Sequence, residues 1–315
     1  MLSRRHIRIK IFQALYSYYK GSVSEIALGE KELMRSINKN YELFIHLLSI
    51  LVELKSYEEK LIEERKKKQL PTKEDKNPNV KFINNKLLGQ LSENAHLVSE
   101  IEKLNISWKD EQEFIKKVHT KITETESYKE YKASSESSYE EDAAIVIRLF
   151  KNQIADHEML QHILEEKNIH WQDDHYFVCG YAVKALKQFN EKTASDLKLP
   201  ALFKDKEDDI EFIETIYRQV LVNDGEYQEV IMKKAKNWEA DRIANVDFIL
   251  MKMALAELEK LPSIPVKVSL NEYIDISKNY STPKSKLFIN GVLDKIVADY
   301  QRDGKIKKRG RGLMN

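Results

Sequence analysis

The sequence predicts an all-α fold. Glycine and proline are scarce, 9 and 6 among 315 residues, so turns are few and helices long. Runs that alternate Val, Ile or Thr with polar residues, the mark of half-buried strands, are almost absent. Apolar residues recur instead at helical spacing, as Ile7, Ile11, Ala14, Leu15 and Tyr18 do near the start. Charged residues at 33% and hydrophobic ones at 42% suit helices with solvated outer faces.

Taken in order, Ser3 is positioned to cap a first helix that the apolar stripe carries to Tyr19. Tyr41 to about Lys68 reads as one long helix, with Leu43, Leu47, Leu51 and Leu54 inward before charge takes over. Pro71 and Pro78 break the chain within Leu70–Asn79. Helices are predicted over Asn84–Asn105, Glu111–Thr123 and Tyr128–Lys132, then a Ser-rich linker at Ala133–Ser138. Two amphipathic helices, Tyr139–Lys167 and His175–Glu191, are joined across Asn168–Asp174. Thr193–Lys206, with Pro200, is the clearest boundary. Beyond it the pattern predicts Asp209–Val222, a turn at Asn223–Gly225, then Glu226–Lys236 and Asn245–Lys260. A rigid connection at Leu261–Pro265 leads to Val268–Tyr280 and Lys284–Arg302. Asn245–Lys260 is apolar nearly all round, as expected of a helix at the centre of a bundle. Phe44–Lys68 and Phe212–Lys236 align without gaps at Phe, Ile, Val, Glu and two Lys positions; a duplication would leave this echo, and helical sequences also produce it by chance.

Formal net charge is only +1, but it is unevenly spread. Residues 1–20 hold Arg4, Arg5, Arg8, Lys10 and Lys20 with no acid, and the tail holds Lys305, Lys307, Lys308, Arg309 and Arg311 against Asp303. Acids concentrate in the middle, as in Glu124, Glu126, Glu140, Glu141 and Asp142. Cations at a helix N-terminus oppose its dipole, at a cost of roughly 0.3–1 kcal/mol each. That end suits anions, so an arginine cluster there makes sense for holding phosphate; a solvated charged face is the plainer alternative.

Several chemistries find no support. The single Cys179 allows no disulfide within the chain, which points to a reducing, cytoplasmic compartment. No signal peptide is expected, and no apolar run approaches the ~18 residues of a membrane span. Nothing fits GxGxxG or GxxxxGK[ST], and no catalytic residue or cofactor is assigned. His157 and His162 are five apart and diverge by about 140° on a helix. A zinc helix needs four, so no metal is expected. Cys179, amid Phe177, Val178 and Tyr181, reads as a core thiol, and Glu257 as a carboxylate hydrogen-bonded within the bundle. Arg309–Gly312 fits a flexible tail, either nucleic-acid-binding or solubilising.

Three segments carry a family resemblance. Arg4 to Tyr16, ending in Gln13-Ala14-Leu15-Tyr16, resembles the arginine-rich opening helix of NusB proteins. Asn237 to Ile243, Val246-Asp247 and Leu250 to Leu258 resemble the family's central helix. Ile264 to Glu272, then Lys278, Ser285 and Phe288-Ile289-Asn290-Gly291-Val292-Leu293-Asp294-Lys295, resemble its last two helices. About 20 N-terminal and 110 C-terminal residues are covered.

The resemblance implies a helical bundle of two subdomains. Residues 1–20 supply its basic first helix, 21–205 a helical expansion of the N-terminal subdomain, 206–303 the C-terminal domain and 304–315 a flexible basic tail. It implies a non-enzymatic antitermination factor for ribosomal RNA operons. Such a factor binds box A RNA as a heterodimer with the small-subunit ribosomal protein NusE and joins the RNA polymerase antitermination complex. Carried over by position, Arg4, Arg5, His6, Arg8, Lys10, Gln13 and Tyr16 would meet RNA, with Lys284, Lys286 and Phe288 completing that surface. Asp247, Lys252 and Asn290 would face the protein partner. Some family members self-associate through the RNA face, so a homodimer is also admitted. A protein-binding scaffold without RNA preference is the alternative. Phe248 and Ala256 depart from the family's usual basic and aromatic residues, and Pro283-Lys284 makes the last connection more positive.

Overall fold

A computed structural model describes residues 2–22, 25–235 and 243–313. Among them are fifteen α-helices and no strand. In chain order the first are α1 (Arg4–Tyr19), α2 (Ile26–Lys66), α3 (Lys73–Lys76), α4 (Lys86–Glu93) and α5 (Ala95–Lys103). Next come α6 (Gln112–Glu124), α7 (Glu126–Ala133), α8 (Tyr139–Leu149), α9 (Glu158–Lys167) and α10 (His175–Leu186). The last are α11 (Lys206–Val222), α12 (Asp224–Lys234), α13 (Asn245–Lys260), α14 (Val266–Tyr280) and α15 (Ser285–Arg302). The chain divides into two compact units, one of residues 1–37 with 203–315 and one of residues 38–202. Residues up to Ile37 of α2 therefore group with the first unit, whereas the expected expansion begins at Gly21.

The first unit is built around α13. Every residue from Ile249 to Leu258 is buried, and α1, α11, α12, α14 and α15 all pack against this helix. Ser3 caps α1 as expected, accepting from the His6 N–H. Pro265 starts α14 two residues earlier than expected; its fixed φ is already that of a helix start, where its missing N–H costs nothing. A single residue, Asn223, separates α11 from α12 in place of a three-residue turn. The basic tail, expected to be flexible, makes contacts with the end of α13 through Lys308 and Arg309. The Lys308 ammonium donates to the Leu261 carbonyl at 3.0 Å, and the Arg309 N–H to the Pro262 carbonyl at 2.9 Å. A cation there meets the unpaired carbonyls and negative dipole end of α13. Asn237–Arg242, part of the NusB-like pattern, and Lys236, the expected end of a helix, lie outside the described residues.

The second unit contains most of α2, whose 41 residues span about 60 Å. The sequence reading missed its first four turns, although Leu33 and Ile37 are buried on one stripe. One asparagine starts and another divides the expected Asn84–Asn105 helix. Asn85 caps α4 by accepting from the Leu88 N–H, and buried Asn94 ends α4 and caps α5 through Leu97. The expected Tyr139–Lys167 helix is likewise broken: α8 runs into a π-turn at Phe150–Ile154, and His157 caps α9 afresh. The internal echo is not a structural repeat. Phe44–Lys66 lies within one unbroken helix, whereas the stretch from Phe212 crosses the break at Asn223. Cys179 is buried, and burial pushes its thiol up to about 12, as befits a core thiol. Among the described residues no helix is long and apolar enough to cross a membrane.

Candidate nucleic-acid interface

The first two turns of α1 carry the arginines, and the fold brings carboxylates to each. Arg4 pairs with Asp208 and, at 3.1 Å, with Asp209 of α11, its guanidinium 4.2 Å from the centre of the Phe212 ring. Arg5 grips Glu272 of α14 through two bonds of 2.8 and 2.9 Å and reaches Asp275 at 2.9 Å. Arg8 is 3% exposed and donates twice to Glu257 of α13, at 2.8 and 2.6 Å. Ser269 and Tyr273 each donate to the same carboxylate at 2.7 Å, so all the acceptor capacity of this fully buried acid is used. Burial alone would favour a neutral Arg8; the Glu257 hydrogen bonds and charge outweigh it and raise its pKa. Burial, then the Glu257 charge, raises the Tyr273 phenol well above its ordinary value.

This end of α1 is therefore not a basic patch. Three arginines and Lys278 face five carboxylates, Asp208, Asp209, Glu257, Glu272 and Asp275. Arg8 is corrected from a surface phosphate contact to a buried structural ion, and Lys10, also buried, leaves the surface with it. Arg4 and Arg5 stay partly exposed, at 30% and 46%, but committed to acids. His6 sits at the cap, its Nδ1 2.6 Å from Ser3 Oγ.

The other end of α1 differs. Tyr16 is 37% exposed, Gln13 lies half-exposed one turn before it, and the Lys20 ammonium lies 5.5 Å from the Tyr16 ring centre. Phe12 links this surface to α14, its ring 6.2 Å from Tyr16 and 5.2 Å from Tyr280. Just beyond Tyr280 is the α14–α15 corner. There Asp247 accepts from Ser281 at 2.6 Å, and the Ser281, Thr282 and Ser285 hydroxyls interlock at 2.8–2.9 Å. The corner holds out Lys284, Lys286 and Leu287, the last 73% exposed, beside half-buried Phe288. Among the described residues, none of Lys20, Lys284 and Lys286 has a carboxylate within 4.0 Å.

The expected partner-facing residues also move. Asp247 is buried and ties down the corner from below instead of lying on the surface. Lys252 is buried too, donating to Asp224 at 2.5 Å; Tyr19 donates to the same carboxylate, which anchors the aromatic end of α1. Asn290 alone is exposed, donating to Asp294 at 2.9 Å.

Comparison with known proteins bears on this surface. The NusB family model matches residues 180–298. A transcription antitermination protein NusB of Listeria monocytogenes is 36% identical over 119 residues, which are 38% of this chain and 91% of that protein. The chain belongs to the NusB family. The protein of the same name from Salinibacter ruber is 46% identical over 104 residues, covering 33% of this chain and 65% of the relative. That of Chloroherpeton thalassium is 43% identical over 105 residues, with coverages of 33% and 50%. The chain thus spans about half to two thirds of the length of these two relatives. No solved structure matches it significantly. In this NusB-family chain α1 lies outside the matched segment, yet it packs on α11 and α13 within it. Sequence reasoning did not single out Tyr280, and it placed Lys20 only among the cations of the acid-free first twenty residues.

Proposed function

We propose that this protein is an RNA-binding transcription antitermination factor that works without catalysis. It binds box A RNA of ribosomal RNA operons together with the ribosomal protein NusE and so enters the RNA polymerase antitermination complex. The observations that carry the reading are that Lys20, Lys284 and Lys286 pair with no carboxylate among the described residues, that Tyr16 is exposed and Phe288 half-buried, and that Phe12 joins Tyr16 to Tyr280 just before the corner. Phosphates meet the lysines, which makes affinity salt-dependent, and unpaired bases stack on the aromatics, the usual mode for single-stranded RNA. Gln13 extends this face by offering an amide to a base edge. Arg4 and Arg5 reach RNA only by exchanging a carboxylate for a phosphate. Asp247 and Lys252 act as positioning residues for the corner and for Tyr19, and exposed Asn290 is left as the partner-facing candidate.

One observation favours a second reading, a protein-binding scaffold: the arginine end of α1 is neutralised by its own acids. Binding of box A RNA against a scrambled RNA, with and without NusE, separates the two. The first reading expects preference for box A that tightens with NusE. Partner binding with no box A preference supports the scaffold.

A further inference from the structure

The second unit has a cleft of about 710 Å³ between α2, α6 and α7, unrelated to the surface above. Its floor holds Glu58, a buried carboxylate that accepts from Tyr128 at 2.7 Å, Lys132 at 2.9 Å and His119 at 3.3 Å. Burial alone would push this acid up; its His119 and Tyr128 hydrogen bonds and the Lys132 charge hold it below the usual carboxylate range. The floor is thus internally neutralised and does not repel an anion.

The rim is cationic. Arg65 of α2 and Lys116 of α6 both line the cleft, both are exposed, and among the described residues neither has a carboxylate within 4.0 Å. Arg65 also opens the run Arg65-Lys66-Lys67-Lys68, with Lys73 and Lys76 close behind. Two of these six cations are taken, Lys66 by Glu63 and Lys68 by Asp75. The acids lining the rim are Asp75, held by Lys68 and the Thr72 N–H, and exposed Glu74. Tyr57, half-buried, lines the cleft with its ring 5.2 Å from His119, and Thr120 and Thr123 line it too, their hydroxyls donating to carbonyls of α6.

An apolar ring wall with polar groups and a cationic rim fits a ligand that is flat at one end and anionic at the other. We propose that this cleft binds a nucleotide of single-stranded RNA, with the base against Tyr57 and the backbone phosphates on Arg65 and Lys116. The proposal rests on the RNA-binding function above and gives the second unit a share in it.

The test uses the full chain and a short labelled oligouridylate, titrated at several salt concentrations. The variants are Arg65→Ala/Lys116→Ala, Tyr57→Leu and, on the other surface, Lys284→Ala/Lys286→Ala. The substituted cleft residues are exposed or half-exposed, and melting curves check that each variant remains folded. Removing two phosphate contacts is expected to lower the log–log salt slope by about 1.4. Tyr57→Leu is expected to weaken binding by roughly fivefold or more through lost stacking. Loss of binding in Lys284→Ala/Lys286→Ala with none in the cleft variants overturns this proposal and leaves the proposed function standing. An effect of Arg65→Ala/Lys116→Ala without one of Tyr57→Leu overturns it too, because the rim then acts only as a polyanion surface. Wild-type protein that does not bind the oligouridylate overturns this proposal, and one that also fails to bind box A RNA overturns the proposed function with it.

Discussion

The two ends of α1 belong to one acid-free stretch of sequence and behave differently in the fold. The first two turns carry Arg4, Arg5 and Arg8, and every one of them is met by carboxylates from α11, α13 or α14. The last turns and the neighbouring corner carry Lys20, Lys284 and Lys286, and none of these is met. A cation adds to a surface field only where the fold leaves it without an acid. The arginine end therefore fastens α1 to the bundle, and the proposed binding surface lies at the other end.

The largest expected effect breaks the fastening. Glu257→Ala leaves buried Arg8 with only Glu272, at 3.8 Å, and no carboxylate hydrogen bond, and should destabilise the first unit by about 3 kcal/mol in urea denaturation. Replacing the pair together, Arg8→Met with Glu257→Leu, should recover most of that loss; a single variant as stable as the parent would remove the structural role of the pair. At the other end, Tyr16→Ala should weaken RNA binding roughly fivefold or more with little change in melting, the signature of a lost stacking platform. Unmasking sharpens the contrast. Asp208→Asn with Asp275→Asn removes one of the two acids facing each of Arg4 and Arg5, leaving Asp209 and Glu272 in place, and should strengthen RNA binding by less than about 1 kcal/mol in all, measured by anisotropy. The smallest effect is in pH. A Lys278 hydrogen bond, its charge and Arg5 together hold the Asp275 carboxyl below its usual range against the opposing effect of burial. Its contribution is therefore present above the ordinary carboxylate value and is lost as pH falls through the lowered one. Asp275→Asn should flatten only that acid limb of the stability curve.

Much of this architecture was legible because it is local. The Ser3 cap, the apolar stripe of α1, the all-round apolar α13 and the Asn-Gly pair in α15 are each written within a few turns of sequence. Helix breaks were harder. Asn94 ends one helix and caps the next, and nothing about an isolated asparagine marks it as buried rather than solvated. The candidate site was legible as a set of cations but not as a field. Arg4 finds Asp208 across 204 residues of chain and Arg8 finds Glu257 across 249, so no local pattern announces which charges cancel. Asp247 and Lys252 were placed on the right helix and the wrong side of its surface, because a helix buried all round hides its polar residues as well.

The most direct test compares salt dependence at the two ends. Box A RNA binding would be titrated against salt for Arg4→Ala/Arg5→Ala and for Lys20→Ala/Lys284→Ala/Lys286→Ala. The lysine variant should lose about 0.7 of log–log slope for each phosphate contact removed, and the arginine variant should keep nearly the parent slope. A slope that falls with the arginines and holds without the lysines would contradict the account and return the RNA to the arginine end of α1.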